Sequence, residues 1–168
     1  CLSKGLTGGF MPMSAVLTTA AVFDAFLDES RARAFLHSHS YTGNPLGCAA
    51  ALASLAIFQS EPVLLRNRAT ARAMAALAEP LRGHPNVSDV RQTGMIVAFE
   101  VVADRATRRG FDPRDKRGLR AYRHALDNGV LLRPLGEVLY WMPPYCIDEA
   151  ALQQLARVTT GAIDRITD

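Results

Sequence analysis

The 168-residue sequence is poor in cysteine, with only Cys1, Cys48 and Cys146. They lie far apart and are odd in number. No Cys-x-x-Cys pair or Cys/His set with metal-ligand spacing occurs. A disulfide framework and a metal site are not expected, and free thiols in a reducing compartment are. Long apolar runs are missing as well. None reaches the roughly 18–20 residues of a membrane span, and no signal-peptide pattern is visible. Aromatics make up 7% of the chain, with one tryptophan. None interleaves with the arginines that gather between Arg105 and Arg123 among acidic residues. That stretch reads as a solvated helix and loop, not a nucleic-acid footprint. There is no internal repeat. The first residue is Cys rather than Met, and the chain is expected to be the C-terminal part of a longer protein.

The remaining composition is ordinary for a globular chain: 49% apolar, 21% charged, formal charge +3. The length suffices for one domain with a core, or one domain and a piece of another. Residues 13–28 have strand character and then helical spacing, and residues 30–43 are a polar loop. Asn44-Pro45 caps a helix whose body, "LGCAAALASLAIFQ", is apolar almost all round. Such a helix is expected to be buried on nearly every side, or against a partner chain. A more amphipathic helix is expected over 62–82, then a hairpin around Thr93-Gly94, a helix over 114–128 ending at Asn128-Gly129, and strands in "VLLRP" and "EVLYWMPPY". A last helix capped by Asp148 completes a compact α/β module.

Chemistry is concentrated in three places. Lys4 sits in "SKGLTGG", among Ser3, Gly5, Thr7, Gly8 and Gly9. It is either a solvated surface lysine or an amine kept as a nucleophile, with small neighbours that admit a flat group. "HSHSYTGNPL" (37–46) runs a hydroxyl-rich loop into a helix start. It is either a phosphate or carboxylate site or a loop that only caps. Arg133 ends an apolar strand beside Pro134. It is either a solvated strand-end arginine or a fork for a carboxylate.

In this order "SKGLTGGFMPMSAVL", "SYTGNPLGCAAALA" and "LLRPLGEVLYWMPPY" resemble the class III aminotransferases, which use pyridoxal 5′-phosphate. The resemblance covers essentially the whole chain, and the last segment is similar to a biotin-pathway branch of the family. It implies the α/β fold of type I pyridoxal-phosphate transferases. Residues 1–59 would be the end of the large cofactor-binding domain with its connecting helix, and 60–168 the small C-terminal α/β domain. The resemblance also implies a cytoplasmic homodimer with composite sites. The implied amino donor is S-adenosylmethionine and the implied acceptor is 8-amino-7-oxononanoate.

By the same resemblance Lys4 anchors the cofactor and serves as the catalytic base. Ser40 stands where the family has a threonine that reaches the phosphate of the neighbouring subunit. His39 replaces a proline beside it and is implied to bind the cofactor through its backbone, and Ser38 replaces a glycine near substrate and is implied to bind substrate. His39 on its own residues reads as a hydrogen-bonded loop histidine. Arg133 matches the arginine that takes the substrate carboxylate, and Tyr140 a tyrosine near the donor, with a core tyrosine as the plain alternative. Trp141 and Met142 read as packing. The family's pyridine-nitrogen aspartate and glycine-serine phosphate loop would lie upstream of Lys4, so this stretch alone is expected to be inactive. The competing readings are another class III ω-aminotransferase or an aminomutase, and a non-catalytic fragment that serves as an interaction or structural piece.

Overall fold

The computed structural model describes residues 1–167. They divide into two compact units, Cys1–Pro62 and a second that begins at Val63.

The first unit holds little regular structure. A short antiparallel ribbon pairs β1 (Leu2–Ser3) with β2 (Ser14–Ala15). Between them residues Lys4–Thr7 form one 3-10 turn, closed by the left-handed Gly8 and Gly9. The five-residue helix α1 (Ala20–Asp24) starts where the Thr19 hydroxyl accepts from the Val22 N–H. A loop follows to α2 (Pro45–Ser60), whose start is set by the sequence as expected. The Asn44 side chain accepts from the Leu46 N–H at 3.0 Å, and Pro45 occupies the first turn, where its missing N–H costs nothing.

α2 is not buried on nearly every side. Gly47 and Ala51 are its only buried residues, while Leu46, Leu52, Leu55, Ile57 and Phe58 are exposed. The first unit is too small to wrap a helix that is apolar all round, so the described residues cover one narrow stripe.

The second unit is a four-stranded antiparallel sheet, order β3-β4-β6-β5, with three helices. It begins with α3 (Val63–Ala78). The expected helix to residue 82 instead tightens into a 3-10 turn at Glu79–Gly83, because Pro80 cannot donate the next α-helical hydrogen bond. β3 (Val87–Thr93) and β4 (Ile96–Val101) form the expected hairpin, with Gly94 at φ +54° in the turn.

α4 runs over Arg117–Asp127, not from residue 114. The Asp112 carboxylate accepts from the Arg114 N–H, which closes a 3-10 turn at Pro113–Asp115, and Lys116 at φ +48° breaks the path into the helix. β5 is Arg133–Leu135 and β6 is Val138–Trp141. The expected strand at 130–134 is thus shifted, since only residues 133–135 find partners on β6. α5 (Glu149–Thr167) starts where Asp148 accepts from the Ala151 N–H at 2.7 Å.

Alternation along the strands gives the sheet two unlike faces. Val97, Phe99, Leu139 and Trp141 share the covered face with Met74, Leu132 and Ile163 from the elements around them. Phe99 and Trp141 meet edge-on at 4.8 Å. The Trp141 indole N–H donates to Thr159 at 2.8 Å, so this buried polar group is satisfied. Arg91, Ala98, Tyr140 and Arg133 lie in one cross-strand row on the opposite face. Met142, expected to pack, is exposed just past the end of β6.

Candidate active-site segments

Lys4 is the first residue of the 3-10 turn and has φ +51°, a left-handed conformation that an L side chain adopts at a cost. The turn itself holds it there. The Lys4 carbonyl accepts from the Gly9 N–H at 3.3 Å. Thr7, 3% exposed, donates its hydroxyl to the Met11 carbonyl at 2.5 Å and lies 3.5 Å from the Lys4 carbonyl. The Lys4 side chain is exposed and makes no ion pair among the described residues. A Cβ built on Gly5, Gly8 or Gly9 would meet no atom within 4 Å. Lys4 thus stands exposed on a turn fixed by its own backbone bonds. By sequence Thr7 reads only as a small neighbour; its bonds across the turn make it the tie.

Ser38, His39 and Ser40 are exposed in the loop before α2. The loop is ordered by its own bonds. The His39 N–H donates to Thr42 Oγ1 at 3.2 Å, the Thr42 N–H to the His39 carbonyl at 3.0 Å, and the Tyr41 N–H to His39 Nδ1 at 3.1 Å. With Nδ1 accepting, the neutral ring carries its proton on Nε2. The His39 ring is thus engaged locally, as the plain reading of a loop histidine has it. The Ser38 and Ser40 hydroxyls carry no hydrogen bond among the described residues and are available to a ligand oxygen.

Arg133 opens β5 rather than ending a strand, and its cross-strand partner is Tyr140. Directly opposed residues share a face, so the guanidinium and the phenol are neighbours on the sheet's less covered side. Arg133 is exposed, Tyr140 half-buried. Arg133 also edges a pocket of about 660 Å³ that includes Lys116, Tyr122, Pro134 and Glu137. Two other charges there are committed. Arg117 stacks 3.9 Å over the Phe111 ring and donates to the Ile166 carbonyl and to Asp115. Glu137 accepts from the Phe111 N–H at 3.1 Å. Arg133 has no such partner among the described residues, which leaves its fork free for an incoming carboxylate. Glu137 and Gly118, also at this pocket, were not singled out by sequence; their contacts are long-range and have no local pattern.

The three cysteines are free thiols. Among the described residues no group of His, Cys, Asp and Glu could hold a metal ion, and no single helix is long and apolar enough to cross a membrane.

A family model described as aminotransferase class-III matches residues 1–163, and the chain belongs to that family. Among curated relatives, the adenosylmethionine-8-amino-7-oxononanoate aminotransferase of Nitratidesulfovibrio vulgaris is 43% identical over 169 residues, covering 100% of this chain and 31% of the relative. The protein of that name from Geobacter sulfurreducens is 45% identical, covering 99% of this chain and 37% of the relative.

The crystal structure of the protein of that name from Methanocaldococcus jannaschii matches with a TM-score of 0.91 at 35% identity, over 97% of this chain and 37% of that one. An omega transaminase from Pseudomonas jessenii, in complex with PMP, matches with a TM-score of 0.89 at 26% identity, over 98% of this chain and 37% of that one. The fold is therefore the α/β transferase fold expected. The chain spans about a third of the length of these relatives.

Proposed function

We propose that the protein containing this chain is a pyridoxal 5′-phosphate-dependent aminotransferase. It moves an amino group from S-adenosylmethionine to 8-amino-7-oxononanoate and yields 7,8-diaminononanoate in biotin synthesis. The observation that carries this is that relatives bearing that aminotransferase name are 37–45% identical across at least 97% of the chain. When bound, the cofactor supplies an electron sink for the bonds at the substrate carbon.

The residues present fit that group. Lys4 is exposed on its turn, and its Nζ would hold the cofactor and, when free, would take the proton from the substrate carbon that bears nitrogen. The Ser40 hydroxyl would donate to the cofactor phosphate, with the His39 backbone beside it, and Ser38 would serve the substrate. Arg133 binds the substrate carboxylate through two parallel N–H donors, and the Tyr140 hydroxyl orients the donor.

The unit boundary at Pro62 supports reading residues 1–59 as the end of the large domain and 60–168 as the small one. The exposed apolar residues of α2 support a homodimer in which the loop at Ser40 serves the neighbouring copy. The enzyme works in the cytoplasm, and residues 1–168 alone are inactive.

The test is chemical. The full-length protein is reduced with borohydride, digested and mapped. A pyridoxyl group on the peptide bearing Lys4, with turnover on S-adenosylmethionine, supports the assignment. A label elsewhere removes Lys4 from it, and turnover only on other amino donors points to a different class III activity.

A further inference from the structure

β5 is a weak platform for a residue that must aim. It has three residues, lies at the sheet edge, and pairs only with β6. Its middle residue is Pro134, which has no N–H to give to the ladder. Three contacts outside the ladder hold the β5–β6 hairpin instead.

Gly118, buried in the first turn of α4, lies against the Gly136 carbonyl. A Cβ there would collide with that oxygen and reach to 3.0 Å from Pro134 Cβ. Gly136 itself turns the hairpin at φ +63°. The Glu137 carbonyl accepts from the Val101 N–H at 3.2 Å. The Glu137 carboxylate accepts from the Phe111 N–H at 3.1 Å, which fastens the hairpin to the loop before α4.

We infer that Gly118 and Glu137 are positioning residues for Arg133. By pinning the hairpin turn against α4 and the Phe111 backbone, they set the direction of the guanidinium three residues away. This rests on the assignment of Arg133 as the carboxylate-binding arm. A fork that makes two parallel bonds is sensitive to its angle, so releasing either pin loosens recognition of the carboxylate in particular.

The experiment uses the full-length, cofactor-loaded enzyme and two acceptors, 8-amino-7-oxononanoate and its methyl ester. The readout is the ratio of kcat/KM for the acid to kcat/KM for the ester. A merely structural defect lowers both and leaves the ratio alone. Glu137→Ala and Gly118→Ala are expected to lower the ratio on the order of tenfold, and Glu137→Gln, which keeps an acceptor for the Phe111 N–H, to restore it. If Gly118→Ala does not fold, the two Glu137 variants decide. A ratio within about twofold of wild type in Glu137→Ala, with a fall in Arg133→Ala, overturns the inference and leaves Arg133 in its role. A ratio unmoved by Arg133→Ala removes the role itself, and the inference with it.

Discussion

The two units of this chain invest their apolar residues differently. From Val63 onward, Met74, Phe99, Leu139, Trp141 and Ile163 are all closed off within the unit itself. Up to Pro62, Phe10, Leu17, Phe35, Leu36 and Leu46 stand open, and Thr7, Gly47 and Ala51 are the buried residues among those described. The second unit therefore carries its own driving force for folding, because burial of side chains of this size is what offsets chain entropy. The first unit presents large apolar groups without a core of its own, and so many of them need cover from outside the unit. It also carries the lysine. The lysine proposed to hold the cofactor thus sits on the part that relies on surroundings beyond its own residues, and the arginine proposed to bind the carboxylate on the part that does not.

The sharpest break in that contrast is chemical. Lys4→Ala in the full-length enzyme should lower kcat by about a thousandfold or more, while the unfolding midpoint of the second unit stays unchanged. A mutant retaining turnover would place the chemistry elsewhere. Next comes autonomy. A polypeptide of residues 63–168 should fold cooperatively by calorimetry, and Phe99→Ala should cost it about 3–5 kcal/mol through the cavity left beside Trp141. Residues 1–62 alone should show no cooperative transition, and a two-state transition there would erase the difference drawn above.

Arg133→Ala should raise KM for the carboxylate acceptor by about 10–100-fold, the loss of one charge-assisted pair. An unchanged KM would leave that arginine a surface residue. Thr159→Val should destabilise the second unit by about 1–3 kcal/mol, since the Trp141 indole N–H would lose its acceptor in a dry core.

The smallest effect is an acid one. The Asp104 carboxyl is held below its ordinary value of 3.8 first by the Thr107 backbone N–H. Asp112 is held below the same value first by the Arg114 side chain and then by the Arg114 N–H. Both carboxyls titrate lower folded than unfolded. Their contribution is therefore fully present above the ordinary value and is lost as pH falls through it toward the folded one. Replacing each with Asn should flatten the fall in melting temperature below pH 4 slightly, because both groups face water.

Local signals in the sequence located what local physics controls. Asn44-Pro45 and Asp148 mark helix starts through bonds to N–H groups two or three residues on. Thr93-Gly94 marks the hairpin because Gly94 takes a positive φ. The α4 start was misplaced by three residues, because the left-handed Lys116 has no compositional mark. The β5 boundary is not legible locally because it depends on partners three to seven residues further along. For α2 the sequence leaves open whether cover comes from this chain or a partner, because an all-round apolar helix says that cover is wanted, not where it comes from; the described residues supply little of it. Of the proposed site residues, Lys4 and Arg133 stand out through neighbours in the chain, and Ser40 through the family resemblance. Gly118 was invisible, since its one decisive neighbour, Gly136, is eighteen residues away.

The lone indole of these 168 residues, 1% exposed and fixed on Thr159, has a practical use. Its fluorescence will shift to longer wavelength only when the sheet-and-helix module opens, because no other tryptophan in the stretch contributes emission. Loosening near the lysine turn will pass unseen by that signal. A denaturation curve followed by emission and one followed by backbone circular dichroism should therefore part company wherever the two halves melt separately.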